Sequence, residues 1–303
     1  MLFDTCVDRW VVPFGGAFQA DDDGLRHGPA WSPDPHAVPV AALAAGTSLA
    51  LLGEPGAGKT TALHSLAQRG GHAVVHLDEV GTGAELSSVL AERIATMPEA
   101  GTLLLDSLDE CLVPQRALIR TLTRGLRGRD DLRVLVGCRT ADWPRVLADE
   151  FAEVLGTFSV YELLPLSAED VIQLAESRGV DGAAFLAGVR TAAAGPLAAF
   201  PLTLDLLLTT HARSGELPPV PWVLFETGLR VLAAEPDGYR ARAAVRSGTD
   251  TQRLAAACRC AAVLLLCGRT AVTLPDAEAV VGDLSVDDLI LGRETLGPRV
   301  GNR

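Results

Sequence analysis

Residues 53–61 have the sequence Gly53-Glu54-Pro55-Gly56-Ala57-Gly58-Lys59-Thr60-Thr61. They match the pattern G-x-x-x-x-G-K-[ST], in which glycines permit sharp turns and backbone N–H groups surround phosphate oxygens. Lys59 is the only lysine among the 26 lysine and arginine residues of the chain. A compact ammonium group fits where a planar guanidinium does not, so this single lysine supports the motif. The pattern predicts that all nine residues contribute to a phosphate-binding loop, with Lys59 on the β- and γ-phosphates and the Thr60 hydroxyl on Mg²⁺.

The segments on either side of this loop support a binding site for nucleotide phosphates. Residues 48–52 form a short apolar run that predicts a buried strand, and residues 61–67 predict a helix. A strand, a loop and a helix in this order direct the N-terminus of the helix at the bound anion. The alternative, a glycine-rich turn that matches the pattern by accident, does not account for these flanking segments.

Composition limits the partners and the compartment. The net charge is −12, with 48% hydrophobic and 21% charged residues, which is typical of a globular protein. An acidic surface argues against direct binding to nucleic acid or to anionic membranes. The six cysteines have no CxxC or zinc-ligand spacing. No signal peptide or membrane-spanning apolar stretch is evident, and we predict a cytoplasmic location.

The chain divides into four predicted regions. Residues 1–46 are rich in Pro, Gly and Asp and predict an irregular lead-in. Residues 47–164 alternate short apolar runs with helical patterns, which predicts an α/β domain of three layers around a parallel sheet. Residues 165–234 predict a small all-α domain, and residues 235–303 end in a tail without apolar periodicity, as if the chain stopped within a domain. The predicted helices cover about 168–178, 181–193, 202–213, 221–234 and 251–267.

Acidic residues follow one of the predicted strands. Thr102 to Leu105 is apolar, and Asp106-Ser107-Leu108-Asp109-Glu110 comes directly after it. A carboxylate at this position, Asp106, can hold Mg²⁺ opposite the Thr60 hydroxyl. Asp109 or Glu110 would then be close enough to orient and deprotonate an attacking water. A loop of solvated acids is the alternative, and the phosphate loop upstream favours the catalytic interpretation.

Arg139 ends the next predicted strand. An arginine at the carboxyl edge of a central strand can sense a γ-phosphate or stabilise charge during its transfer. The alternative is a surface arginine that pairs with Asp142.

These motifs together resemble one family, the NACHT-type NTPases within the STAND class of signal-transduction ATPases. Asp106-Ser107-Leu108-Asp109-Glu110 is similar to the D-[GAS]-h-D-E form typical of the family, and Cys138-Arg139-Thr140 is similar to its arginine sensor. Residues 163–170 resemble the P-L-S-x-E-D segment at the start of its helical domain. Residues 200–207 resemble its P-L-x-L-x-L-L segment, in which the proline, here Pro201, packs near the nucleotide base. The resemblance covers residues 47 to about 234.

The resemblance implies a P-loop NTPase fold with strand order 5-1-4-3-2, a helical domain over 165–234 and a partial, truncated winged-helix-like region over 235–303. It places Lys59, Asp106 and Arg139 around one γ-phosphate. It further implies ATP and Mg²⁺ as cofactors, slow ATP hydrolysis, alternation between ATP and ADP states with self-association, and a role in bacterial conflict or antiphage signalling. The trigger and the effector are not identified by it.

Two other functions stay open at this point. The chain could be another P-loop enzyme, such as a nucleotide kinase, which would need arginines in a lid and an acceptor pocket. A GTPase would need a second lysine in an N-K-x-D motif, and the chain has none. The chain could also be a nucleotide-binding interaction module that does not hydrolyse its nucleotide. A measurement of ATP turnover would distinguish such a module from an ATPase.

Overall fold

The structure, a computed structural model, describes residues 7–18, 20–27, 36–43, 46–67 and 72–218, together with scattered residues between 223 and 285. The chain forms two compact units, Met1–Pro219 and Val220–Arg303.

A seven-stranded, mostly parallel sheet forms the centre of the first unit. Its strands are β1 (Trp10–Pro13), β2 (Val38–Pro39), β3 (Leu49–Leu52), β4 (His72–His76), β5 (Thr102–Asp106), β6 (Arg133–Cys138) and β7 (Ser159–Leu163). Their order across the sheet is β2-β1-β7-β3-β6-β5-β4. Strands β3 to β7 are parallel to one another, and these five, numbered along the chain, lie in the order 5-1-4-3-2 across the sheet. Their carboxyl ends therefore meet at one edge of the sheet, which we call the carboxyl edge.

Helices cover both faces of this sheet. The described residues contain eight: α1 (Lys59–Ala67), α2 (Gly83–Ala95), α3 (Gln115–Leu126), α4 (Arg145–Leu155), α5 (Ala168–Ser177), α6 (Gly182–Thr191), α7 (Gly195–Ala198) and α8 (Pro201–Ser214). Leu49 and Leu51 pack with α1, whereas Ala50 and Leu52 pack in the cluster that includes α2, α3 and α4. Successive side chains of a strand point to opposite faces, and here both sets are apolar because both faces are covered. The predicted α/β fold class with a mostly parallel sheet is confirmed.

The lead-in differs from the irregular backbone expected for residues 1–46. Strand β1 pairs antiparallel with β7, with Val11 opposite Leu163, and β2 pairs with β1. Val11 and Val12 are buried in the sheet. Tryptophan and valine favour strands, but the run Trp10-Val11-Val12 is short and lies among prolines, glycines and aspartates that indicated loops. A single 3₁₀ turn over Val40–Ala42 follows β2.

The helical region begins as predicted. Ser167 accepts a hydrogen bond from the N–H of Asp170, and the Asp170 carboxylate accepts one from the N–H of Ser167, which forms a capping box. The three helices predicted at about 168–178, 181–193 and 202–213 correspond to α5, α6 and α8. The helices predicted at 221–234 and 251–267, and the winged-helix-like region, lie largely outside the described residues. The domain boundaries remain predictions, and the one at residue 164 falls within the first unit.

In the second unit, β8 (Val280–Val281) pairs antiparallel with β9 (Leu284–Ser285). None of the helices in the described residues is both long and apolar enough to cross a membrane.

Candidate nucleotide-binding site

The segment Gly53–Gly58, which we call the phosphate loop, joins the carboxyl end of β3 to the first residue of α1. Gly56 has φ = 75° and Gly58 has φ = 91°, a left-handed conformation that residues with a Cβ rarely adopt. The first N–H groups of α1 have no acceptor within the helix. The loop and the start of α1 thus provide several donors together with the positive end of a helix dipole, an arrangement suited to an anion.

Lys59 is the first residue of α1, and its side chain folds back onto this loop. Its Nζ donates hydrogen bonds to the carbonyl oxygens of Gly53 at 2.8 Å and Glu54 at 3.1 Å. Burial lowers the pKa of Lys59, and the negative charges of Asp109 and Asp106 only partly oppose this effect. The positive charge of Arg139 lowers the pKa of Lys59 further. Residues at the ends of two strands, β5 and β6, are therefore close enough to influence Lys59.

Asp106 is the buried last residue of β5. Its Oδ1 accepts a hydrogen bond from the N–H of Ser107 at 3.0 Å. Ser107 itself has φ = 59°, a left-handed conformation uncommon for serine. A side chain on Gly137, in the adjacent strand β6, would have its Cβ 2.6 Å from this Oδ1 and 2.9 Å from Cδ1 of Leu63. Glycine at position 137 is therefore what leaves room for the Asp106 carboxylate.

We predict that Gly137→Ala lowers the free energy of unfolding by about 1–3 kcal/mol, because the added methyl group overpacks a buried site. Urea denaturation would measure the loss. The matched control is Gly188→Ala in α6, where an added Cβ meets nothing within 4 Å. This control should raise stability by up to about 1 kcal/mol, because alanine favours helices. Equal stability of the Gly137 variant and the wild type would contradict the close packing.

Arg139 links the two acids that follow Asp106. Its backbone N–H and its Nε donate to the two carboxylate oxygens of Asp109, at 2.9 and 2.8 Å, and its Nη2 lies 2.7 Å from Oε1 of Glu110. The Asp109 side chain is 5% exposed, whereas that of Glu110 is 50% exposed. The structure thus pairs Arg139 with Asp109 and Glu110, and not with Asp142 as the alternative had it. Both oxygens of Asp109 already accept hydrogen bonds, while the carboxylate of Glu110 is accessible to water.

Cys138 lies under this group of charges. Burial, with a further contribution from Asp109, raises the pKa of its thiol to about 12. Cys138 therefore stays a neutral thiol at physiological pH and packs as a small apolar residue.

The first residues of α8 contact the phosphate loop. The N–H of Leu202 donates to the carbonyl of Gly56 at 3.3 Å. A Cβ on Gly56 would lie 2.7 Å from Cβ of Leu202, and one on Gly58 would lie 3.5 Å from Cγ of Pro201. The structure therefore places Pro201 next to the loop, although the two are about 140 residues apart in the sequence.

The predicted site residues thus lie at one edge of the sheet. Glu54, Pro55 and Ala57 complete the loop, and Thr60 and Thr61 are exposed at the start of α1. Sequence reasoning missed Arg9, whose Nη1 donates to the carbonyl of Ala57 at 2.5 Å and whose Nη2 donates to that of Leu164 at 2.6 Å. Nothing in the local sequence links Arg9 to this loop, because the contact spans 48 residues.

The residues present fit a nucleotide with a divalent cation. The left-handed glycines, the N–H groups of the first turn of α1 and the Lys59 ammonium suit phosphate oxygens, and the Asp106 carboxylate and the Thr60 hydroxyl are hard oxygen ligands that suit Mg²⁺. Among the described residues, no group of three or more His, Cys, Asp or Glu side chains is placed to hold a metal. A cation at this site would therefore need oxygens from the nucleotide or from water as well.

Comparison with known proteins gives a distant likeness in structure alone. No protein-family model matches the sequence, and no curated protein matches it. Among solved structures, the RuvB Holliday junction branch migration motor of Thermotoga maritima is 16% identical with a TM-score of 0.39, over 64% of this chain and 65% of that chain. A Walker-type ATPase of Pyrococcus abyssi is 11% identical with a TM-score of 0.42, over 62% and 67%. The chain thus spans slightly less than two thirds of the RuvB structure, and its function has to be inferred from its own site.

Proposed function

We propose that this protein binds ATP with Mg²⁺, hydrolyses it slowly and changes conformation between its ATP and ADP states, as a switch of the NACHT and STAND type. One observation carries the proposal. The phosphate loop with Lys59 follows the carboxyl end of β3, at the same sheet edge where Asp106 ends β5 and Arg139 follows β6.

Each residue has a distinct role in this proposal. The phosphate loop, Lys59 and the first turn of α1 bind the phosphate chain, and Thr60 with Asp106 holds the cation. Bound Mg²⁺ supplies charge neutralisation at the phosphate oxygens. Pro201 contacts the nucleotide from the helical region.

In this proposal the base is Glu110, one of the two acids between which the sequence left the choice open. A general base must be reachable by the water that it activates. Glu110 is half exposed, whereas Asp109 is buried and both of its oxygens accept hydrogen bonds from Arg139. Asp109 is better placed to orient Arg139.

The helical region provides the moving part of the switch. Leu202 contacts the loop directly, so a nucleotide in the loop would meet the start of α8. Arg139 is bonded to Asp109 and Glu110 in this structure, and a γ-phosphate would compete for its guanidinium. Only a contact that differs between ATP and ADP can shift the equilibrium between two arrangements.

Hydrogen exchange would test both binding and switching. Either nucleotide should protect the amides of residues 53–61, because both fill the phosphate loop. A non-hydrolysable ATP analogue should protect residues 196–210 more than ADP does, and Arg139→Ala should lose this difference. Equal protection by ADP and the analogue would indicate a nucleotide-binding module that does not switch. No protection of 53–61 by either would contradict nucleotide binding itself.

The wider biological role rests on the sequence motifs. They favour signalling by ATP-dependent self-association in a bacterial conflict or antiphage pathway, with an acidic chain that does not bind nucleic acid directly.

A further inference from the structure

We infer that Arg9 is a positioning residue for the phosphate loop, an assignment that rests on the proposed nucleotide binding. Arg9 precedes β1 in the lead-in, far from the loop in sequence. Its side chain nevertheless reaches the middle of the loop, where Nη1 donates to the carbonyl of Ala57, and also reaches the end of β7, where Nη2 donates to the carbonyl of Leu164.

The hydrogen bond to Ala57 sets the direction of the next amide. The carbonyl of Ala57 and the N–H of Gly58 belong to one peptide unit, and the described chain has no cis peptide bonds. In a planar trans peptide the C=O and the N–H point in opposite directions. By holding the Ala57 carbonyl toward the lead-in, Arg9 turns the Gly58 N–H away from it, which would let this N–H donate to a phosphate oxygen.

The packing at Gly58 shows how close this contact is. A Cβ on Gly58 would lie 3.0 Å from Nη1 of Arg9. Gly58 also has φ = 91°, so the position excludes a side chain for two reasons, its backbone conformation and the nearby guanidinium. Arg9 and the start of α8 therefore both pack against the loop at Gly58.

Arg9 is buried beside the loop. It is 9% exposed, and its guanidinium donates to the carbonyls of Ala57 and Leu164. A bound triphosphate would place negative charge beside this guanidinium in surroundings where charges interact more strongly than in water.

The hydrogen bond from Arg9 to the carbonyl of Leu164 connects the loop with the start of the helical region. Leu164 follows β7 directly, and its N–H donates to the carbonyl of Trp10. The chain then leads to the cap of α5 at Ser167. Arg9 therefore joins the phosphate loop to the segment from which the helices begin, so a change in the loop on nucleotide binding would be felt at that segment.

The experiment compares Arg9→Met with a matched control, Arg133→Met. Arg133 is also buried, and its guanidinium donates to the backbone carbonyls of Thr47 and Leu66. It lies at the first residue of β6, at the end of the strand opposite the carboxyl edge. Both substitutions remove a buried guanidinium from the same sheet, but only one of these guanidiniums contacts the phosphate loop.

The readouts are the affinity for a fluorescent ATP analogue with Mg²⁺, the exchange of loop amides without nucleotide, and stability in urea. We expect Arg9→Met to weaken nucleotide binding by about tenfold or more and to speed exchange at residues 56–60. Arg133→Met should change the affinity for the ATP analogue by less than about twofold, even if it lowers the free energy of unfolding as much as Arg9→Met does. Arg9→Lys should give an intermediate affinity, because it keeps the charge but not the paired donors, and it serves if Arg9→Met does not fold.

Wild-type affinity in Arg9→Met, or equal losses of affinity in both methionine variants, would overturn the inference while leaving the proposed function intact. If the wild type binds no nucleotide, the proposed function fails. Amide hydrogen exchange of residues 56–60 in nucleotide-free protein then still tests the contact between Arg9 and Ala57. This exchange should be faster in Arg9→Met and unchanged in Arg133→Met.

Discussion

Replacing Lys59 by alanine is expected to weaken Mg-ATP binding by about a hundredfold or more, while the free energy of unfolding changes by less than about 1 kcal/mol. Each hydrogen bond to a charged group contributes about 1.5–3 kcal/mol, and the ammonium would make at least two with the phosphates. The side chain bonds only to carbonyls of its own loop, those of Gly53 and Glu54. Its loss therefore opens no cavity in the core.

A titration with labelled ATP would measure this effect, with urea denaturation as the check on folding. Arg124→Ala, which removes one positive charge from an exposed position on α3, controls for the change in net charge and should bind ATP normally. A folded Lys59→Ala protein with wild-type affinity would refute the assignment of the phosphate loop.

Glu110→Gln is expected to bind ATP as the wild type does but to hydrolyse it about 10²–10⁴-fold more slowly, the range typical of a lost general base. Asp106→Asn should instead weaken binding only in the presence of Mg²⁺, because the amide is a poorer ligand for the cation. Its remaining oxygen can still accept the bond from Ser107, so the fold should persist.

Asp109→Asn provides the comparison for Glu110. An amide has one acceptor oxygen, so it could accept from only one of the two Arg139 donors that now bond to Asp109, and its NH₂ group would face the other. The free energy of unfolding should therefore be lower for this variant than for Glu110→Gln. Single-turnover assays and binding titrations separate the outcomes. If Asp109→Asn alone binds ATP without hydrolysing it, the base is Asp109, and if no variant slows turnover, hydrolysis is not carried by these acids.

The sequence predicted those parts of the fold that follow from local patterns. Continuously apolar runs such as Thr102 to Leu105 identified the strands that are buried on both faces, because a parallel sheet covered by helices needs no polar positions. The loop at residues 53–61 was predicted from glycine spacing and the single lysine. These signals lie within a few residues of the structure that they specify.

Contacts between distant segments could not be predicted in this way. No local pattern indicates that Arg9 reaches Ala57, or that Gly137 must be small because Asp106 lies on the neighbouring strand. The different surroundings of Asp109 and Glu110 also depend on the position of Arg139 after another strand. Such features depend on strand order, which in this chain was suggested by a resemblance and not by composition.

The pairing of β1 with β7 has a practical consequence for fragments of this protein. A fragment that began at Thr47 would leave β7 with a row of unpaired backbone groups, a template for aggregation between molecules. It would also leave the carboxylate of Asp170 without Arg26, its buried ion-pair partner at 3.1 Å, and a buried charge without its partner is destabilising. Expression and truncation studies of the candidate site therefore need the segment that carries β1 and Arg26.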